Sequence, residues 1–106
     1  VVVGAGGRAL YFSRSVIPYI RGSEHAEWPR RHTFFKHIGL YAYRSEVLKR
    51  LTALPPSPLE MAESLEQLRW LEAGYTITTA ETHTATIGID TPADLERAAQ
   101  FLTDHP

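Results

Sequence analysis

Six side chains in this sequence are of types suited to anion, sugar or metal chemistry: Arg14, His37, Tyr41, Glu66, Gln67 and Asp90. Five of them fall in three short islands, His37-Ile38-Gly39-Leu40-Tyr41, Leu65-Glu66-Gln67-Leu68-Arg69 and Gly88-Ile89-Asp90-Thr91-Pro92, each with apolar neighbours able to fix them rigidly. Asp90 stands between a strand-like run and a helix start, the edge at which open α/β sheets bind ligands. A hard, oxygen-preferring cation such as Mg²⁺ would accept such a carboxylate together with phosphates and waters. The alternative is an Asp that caps local backbone. Glu66 and Gln67 place acceptors and donors side by side for sugar hydroxyls, or form a solvated helix face with Glu66 paired to Arg69. His37 and Tyr41 lie four apart in an extended run and project from one face, a floor for a polar ligand; the alternative is a half-buried structural histidine. Arg14 suits bidentate contact with carboxylate or phosphate, or is a solvated loop-edge cation, and spacing does not rank it above Arg8, Arg21, Arg30 or Arg31.

Other chemistries lack their residues. The five histidines include no close-spaced pair of the kind zinc sites use. No nucleophile elbow, P-loop lysine motif or His-Glu-x-x-His sequence is present. Gly4-Ala5-Gly6-Gly7-Arg8-Ala9 formally fits a dinucleotide fingerprint, but that motif must open a helix. The aromatic, β-branched run that follows, ended by Pro18, predicts a hairpin turn instead.

The elements that must carry these groups follow from the pattern. Val1–Val3 and Ala9–Ser13 read as two strands about a glycine turn, and residues 15–33 as a long mobile surface loop. Phe34–Tyr43 is strand-like, with Gly39 marking a bulge or a close approach by backbone or ligand. Ser45–Leu54 is a short amphipathic helix stopped by Pro55-Pro56. Ser57-Pro58-Leu59-Glu60 is a capping box opening a helix that runs through Leu59, Ala62, Leu65, Leu68 and Leu71 to a left-handed end near Gly74. Tyr75–Ala80 and Thr86–Ile89 read as strands, and Thr91-Pro92-Ala93-Asp94 opens a last helix to about Leu102. The sum is an α/β chain with a mixed, partly parallel sheet and three helices.

Composition narrows the class. With 106 residues, 43% hydrophobic and 22% charged, the chain is one ordinary globular domain or part of one. Eleven Lys and Arg against twelve Asp and Glu give a charge of −1 and no electrostatic case for nucleic acid. Without cysteine, disulfides and thiolate metal sites are excluded, which fits a reducing compartment. No apolar stretch approaches the roughly 20 residues of a membrane span, and no signal peptide is visible. The expected location is the cytoplasm, and the strand-like start without Met is read as that of a fragment.

Taken in order, these segments resemble the 3-deoxy-manno-octulosonate (Kdo) cytidylyltransferases, also called CMP-Kdo synthetases. The resemblance runs through Ala9-Leu10-Tyr11-Phe12-Ser13-Arg14 with Ile17-Pro18, and Lys36-His37-Ile38-Gly39-Leu40-Tyr41-Ala42-Tyr43-Arg44. It continues through Ser57-Pro58-Leu59-Glu60, Leu65-Glu66-Gln67-Leu68-Arg69 and Gly88-Ile89-Asp90-Thr91-Pro92-Ala93-Asp94-Leu95-Glu96-Arg97. It implies the C-terminal portion of a Rossmann-like nucleotide-diphospho-sugar transferase fold, usually dimeric, in an enzyme of lipopolysaccharide biosynthesis that couples CTP and Kdo into CMP-Kdo and pyrophosphate with Mg²⁺. By similarity Asp90 is the second metal-binding Asp, His37, Tyr41, Glu66 and Gln67 line the sugar pocket, and Arg14 contacts the sugar acid. The family's nucleotide loop and first metal-binding Asp have no counterpart, so residues 1–106 correspond to the sugar and second-metal half of one domain, and this chain alone is expected to be inactive. Two other readings compete: a cytidylyltransferase for another sugar acid (an acylneuraminate or an amino-Kdo), and a non-catalytic α/β dimerisation or binding domain.

Overall fold

A β-branched start and three glycines within seven residues produce a tight hairpin. The computed structural model describes residues 1–105. Strand β1 (Val2–Val3) pairs antiparallel with β2 (Ala9–Tyr11), Val2 opposite Tyr11 and Val3 opposite Ala9, with an irregularity between the two valines. The turn is a 3-10 segment over Ala5–Gly7, closed by Gly4 N–H donating to Arg8 O at 2.7 Å, so no helix opens here. Gly7 has φ 77°, and a Cβ there would lie 3.0 Å from the Thr79 carbonyl oxygen, so both conformation and space call for glycine. That close approach carries a second pairing. Thr79 N–H and Oγ1 donate to Gly7 O, and Ala9 N–H donates to Ile77 O at 2.8 Å.

Residues 75–80 therefore lie beside the hairpin, but as a single antiparallel bridge, Arg8 to Thr78, rather than the expected strand. The runs 34–43 and 86–89 also form no ladder. Their β-branched and aromatic composition suits a strand, yet no neighbouring edge among the described residues completes the hydrogen bonding. The observed sheet is thus two-stranded and antiparallel, in place of a mixed one. Around Gly39 the chain pinches instead, with Leu40 N–H on Ile38 O, and no atom lies within 4 Å of where a Cβ would sit, so no backbone approaches there.

The expected loop contains a 3-10 turn (His25–Glu27) and a one-turn helix α1 (Trp28–Arg31). Trp28 is only 5% exposed, packed among Tyr19, His25 and Phe34 with its indole N–H on Ser23 O. Helix α2 (Ser45–Thr52) buries Leu51 and ends before the proline pair as anticipated. The Ser57 capping box opens α3 (Pro58–Glu63), with Pro58 in the first turn.

One long helix was anticipated from here to Gly74; two short ones are observed, α3 and α4 (Gln67–Glu72). The break is Ser64, at φ 52° and ψ 46°, whose carbonyl and that of Glu63 accept the Arg14 guanidinium instead of helical N–H groups. Helix α4 ends as expected, with Gly74 at φ 90°, its N–H on Leu71 O and Tyr75 N–H on Trp70 O. Helix α5 (Pro92–Asp104) opens on the Thr91–Asp94 capping box, giving five helices among the described residues where three were expected. The core forms where β2 meets α4: Ala9, Phe12 and the fully buried Leu68, flanked by Val1, Tyr11, Leu65, Leu71 and Ile77. The chain is open for its length, with a radius of gyration of 16.6 Å against about 13 Å for a compact domain of some 100 residues.

Candidate functional site

Helix α4 places its side chains by helical spacing: Leu68 faces the core, while Glu66 and Trp70, four apart, share a neighbouring face. Trp70, 8% exposed, takes Tyr41 and Tyr43 edge-on, at 5.7 and 5.4 Å between ring centroids. Tyr41 in turn is hydrogen-bonded through its hydroxyl to Nε2 of His37 at 2.5 Å, and the His37 ring stands edge-on to Phe12 at 5.0 Å. The segment 34–43 is therefore held on the core by its rings, and His37 and Tyr41 do share a face as their spacing suggested.

Charge and burial tune this cluster. Burial pushes the Tyr41 phenol up to about 12, with the Tyr43 hydroxyl and the Glu66 carboxylate adding to it, so Tyr41 keeps its proton. Tyr43 is raised by burial and by Glu66 as well. Partial burial draws His37 below its ordinary value of 6.5, so the ring is neutral around pH 7. The result is a set of neutral hydroxyl and imidazole groups beside one exposed carboxylate.

Gln67 completes the set differently. It is 6% exposed, and its Nε2 is buried without a hydrogen-bond partner among the described residues. A buried amide left unpaired costs on the order of 1–3 kcal/mol, which a bound acceptor would recover. A Glu66–Arg69 ion pair does not form; Arg69 instead holds Glu60 through two bonds of 2.7 and 2.6 Å and donates a third to Leu54 O. Glu66 is thereby left unpaired among the described residues.

Arg14 is not simply solvated. Its Nε and Nη2 donate to Glu63 O and Ser64 O at 2.6 and 2.8 Å, leaving Nη1 without a hydrogen bond among the described residues. The guanidinium thus sits over the break that precedes Glu66.

Asp90 stands apart from this cluster. Its carboxylate is exposed and makes no hydrogen bond or ion pair among the described residues. The capping alternative fails, because the work is done by its neighbours. Asp94 Oδ2 accepts from Thr91 N–H, Thr91 Oγ1 and Asp90 N–H, while Thr91 Oγ1 accepts from Asp94 N–H. These bonds, first that from Thr91, hold Asp94 at about 2. No group of three His, Asp or Glu side chains suited to a cation occurs among the described residues. A lone exposed carboxylate with no internal partner fits a cation held mainly by substrate phosphates and waters.

Sequence reasoning missed Trp70, Tyr43 and Glu63. Trp70 had a signal, four residues after Glu66 and on its face. Glu63 had none, since its partners lie about 50 residues away.

Residues 1–87 match the family model described as Cytidylyltransferase. The chain is 62% identical over 104 residues to the 3-deoxy-manno-octulosonate cytidylyltransferase of Parabacteroides distasonis, covering 98% of this chain and 41% of that protein. It is 60% identical over 102 residues to that of Porphyromonas gingivalis, covering 96% and 40%. A solved structure described as CMP:2-keto-3-deoxy-manno-octonic acid synthetase complexed with CTP superposes with a TM-score of 0.87 at 44% identity, over 100% of this chain and 42% of that one. The chain thus spans about two fifths of the length of the curated relatives it matches. The α/β nucleotidyltransferase fold expected from the resemblance is the one found, carried here by five helices and a two-stranded sheet. With most of its length matched by the family model, the chain belongs to the cytidylyltransferase family.

Proposed function

We propose that this chain is the sugar-acid half of an enzyme that forms CMP-Kdo and pyrophosphate from CTP and Kdo. The observation that carries the reading is Gln67, a buried amide donor without a partner, directly after the unpaired Glu66 and on the helix whose Trp70 packs Tyr41 and, through it, His37. Sugar hydroxyls need such alternating donors and acceptors, and the rigid aromatic packing keeps them preorganised. Arg14, with Nη1 uncommitted, supplies the cation for the sugar's carboxylate. The relatives' names and the CTP-bound structure support the two substrates.

In the reaction the anomeric hydroxyl of Kdo attacks the α-phosphorus of CTP and pyrophosphate leaves. His37, Tyr41, Glu66 and Gln67 orient the sugar for in-line attack, which is alignment rather than covalent catalysis. Asp90 would hold Mg²⁺, which supplies neutralisation of phosphate charge when bound. The complete enzyme is a homodimer acting in the cytoplasm on the route to lipopolysaccharide, and the 106-residue chain by itself does not turn over. No helix among the described residues is long and apolar enough to cross a membrane.

Pyrophosphate release by the full-length polypeptide, with CTP, Mg²⁺ and a panel of sugar acids, tests this. Kdo is expected to give the highest kcat/KM. Preference for an acylneuraminate, or release from the isolated chain above a protein-free blank, would overturn the corresponding part.

A further inference from the structure

We propose that Glu63 is a positioning residue for the sugar-acid pocket: with Ser13 and Arg14 it forms a latch across the α3–α4 break that fixes where Glu66 and Gln67 start their helix. The inference rests on the sugar-acid reading above and adds a residue that touches no substrate. Glu63 Oε1 accepts from Ser13 Oγ at 2.7 Å and from Arg14 N–H at 3.2 Å. Arg14 answers through its side chain, Nε to Glu63 O and Nη2 to Ser64 O. Four bonds therefore join the end of β2's segment to one point on the helical pair.

That point is the strained one. Ser64 is the only residue other than glycine with positive φ among the described residues, at 52°, and such a conformation persists only where its surroundings hold it. Only Leu65 separates it from Glu66, so a rotation at Ser64 would swing the Glu66–Gln67 pair away from Tyr41. The same latch pins the guanidinium whose Nη1 makes no hydrogen bond among the described residues. Glu63 is kept ionised by its Ser13 bond first, then by Tyr11 and Arg14, and in return the Tyr11 phenol is raised above its usual value. Ser15 N–H on Ser13 Oγ orients that hydroxyl.

The test uses the full-length polypeptide with two readouts, steady-state kinetics and amide hydrogen exchange. Glu63→Ala is expected to raise the KM for Kdo about tenfold or more, to leave the KM for CTP within about twofold, and to speed exchange over residues 64–68 but not in α5. Glu63→Gln, whose amide oxygen still accepts from Ser13 and Arg14, should return both readouts to within about threefold of wild type. Ser13→Ala removes one of the latch's four bonds, along with the local Ser15 N–H bond, so it keeps the measurement informative if Glu63→Ala does not fold; the same split is expected, smaller. Equal rises in KM for both substrates, or unchanged exchange over 64–68, would overturn the latch. A wild type without turnover on CTP and Kdo would instead sink the functional reading, and exchange over 64–68 would then decide the latch on its own.

Discussion

Replacing Trp70 by Leu separates the site's scaffold from the general core. Leucine keeps an apolar side chain under Tyr41 and Tyr43 but deletes the indole that both phenol rings meet edge-on at 5.7 and 5.4 Å. An edge-to-face pair contributes about 0.5–1.5 kcal/mol beyond burial, so two such pairs amount to about 1–3 kcal/mol. Trp28→Leu is the matched control. Trp28 is equally buried and has a T-shaped contact to Tyr19 and a stacked one to Phe34, yet it touches none of the proposed pocket residues. Urea unfolding of the full-length polypeptide should show losses of that size for both variants. Kinetics should split them: Trp70→Leu raises the KM for Kdo by about tenfold, because Tyr41 and His37 lose their backing, and Trp28→Leu leaves it within about twofold. Equal KM values for the two variants would refute the claim that α4 positions the pocket.

Three further outcomes follow from the geometry. Gly7→Ala should destabilise by about 1–2 kcal/mol or more in chemical denaturation, since φ 77° disfavours an L side chain and the new Cβ meets Thr79 O at 3.0 Å. His37 has a folded-state pKa below 6.5, so the unfolded chain takes up the proton first as pH falls. The stability it contributes is complete above 6.5 and is lost as pH drops from there through the folded value, a slope that His37→Phe should flatten in urea titrations run at several pH values. Asp90→Asn should leave the circular-dichroism spectrum and melting unchanged while lowering turnover on the order of 100-fold. Unchanged rates at limiting Mg²⁺ would remove Asp90 from the mechanism.

What could be read from the residues alone was what short-range chemistry dictates. Ser57 and Thr91, each with an acid three residues on, marked helix starts that the structure reproduces bond for bond. Gly74 marked a left-handed end, and the Gly4–Gly7 run a hairpin. The features that eluded the pattern depend on distant partners. Ser64 is not a residue type that announces a left-handed turn, and what holds it is Arg14, 50 positions away. Strand-like composition in 34–43 and 86–89 expresses a fit to a pleated surface, which becomes a strand only beside a partner edge. The site behaved likewise: the spacing of His37 and Tyr41 put them on one face, but the seat of Tyr41 against Trp70 and of His37 against Phe12 comes from packing between separate segments. Asp90 was placed at its helix start by the sequence pattern, and no described contact joins it to the other five residues.

The central claim is that His37, Tyr41, Glu66 and Gln67 together bind the sugar acid. Isothermal titration of Kdo, with Mg²⁺ present, into the full-length polypeptide and its Gln67→Leu variant addresses it most directly. Saturable heat from the wild type, with affinity weakened at least about tenfold by removing the buried amide, is the predicted result. No heat from the wild type, or identical binding by the variant, would contradict it.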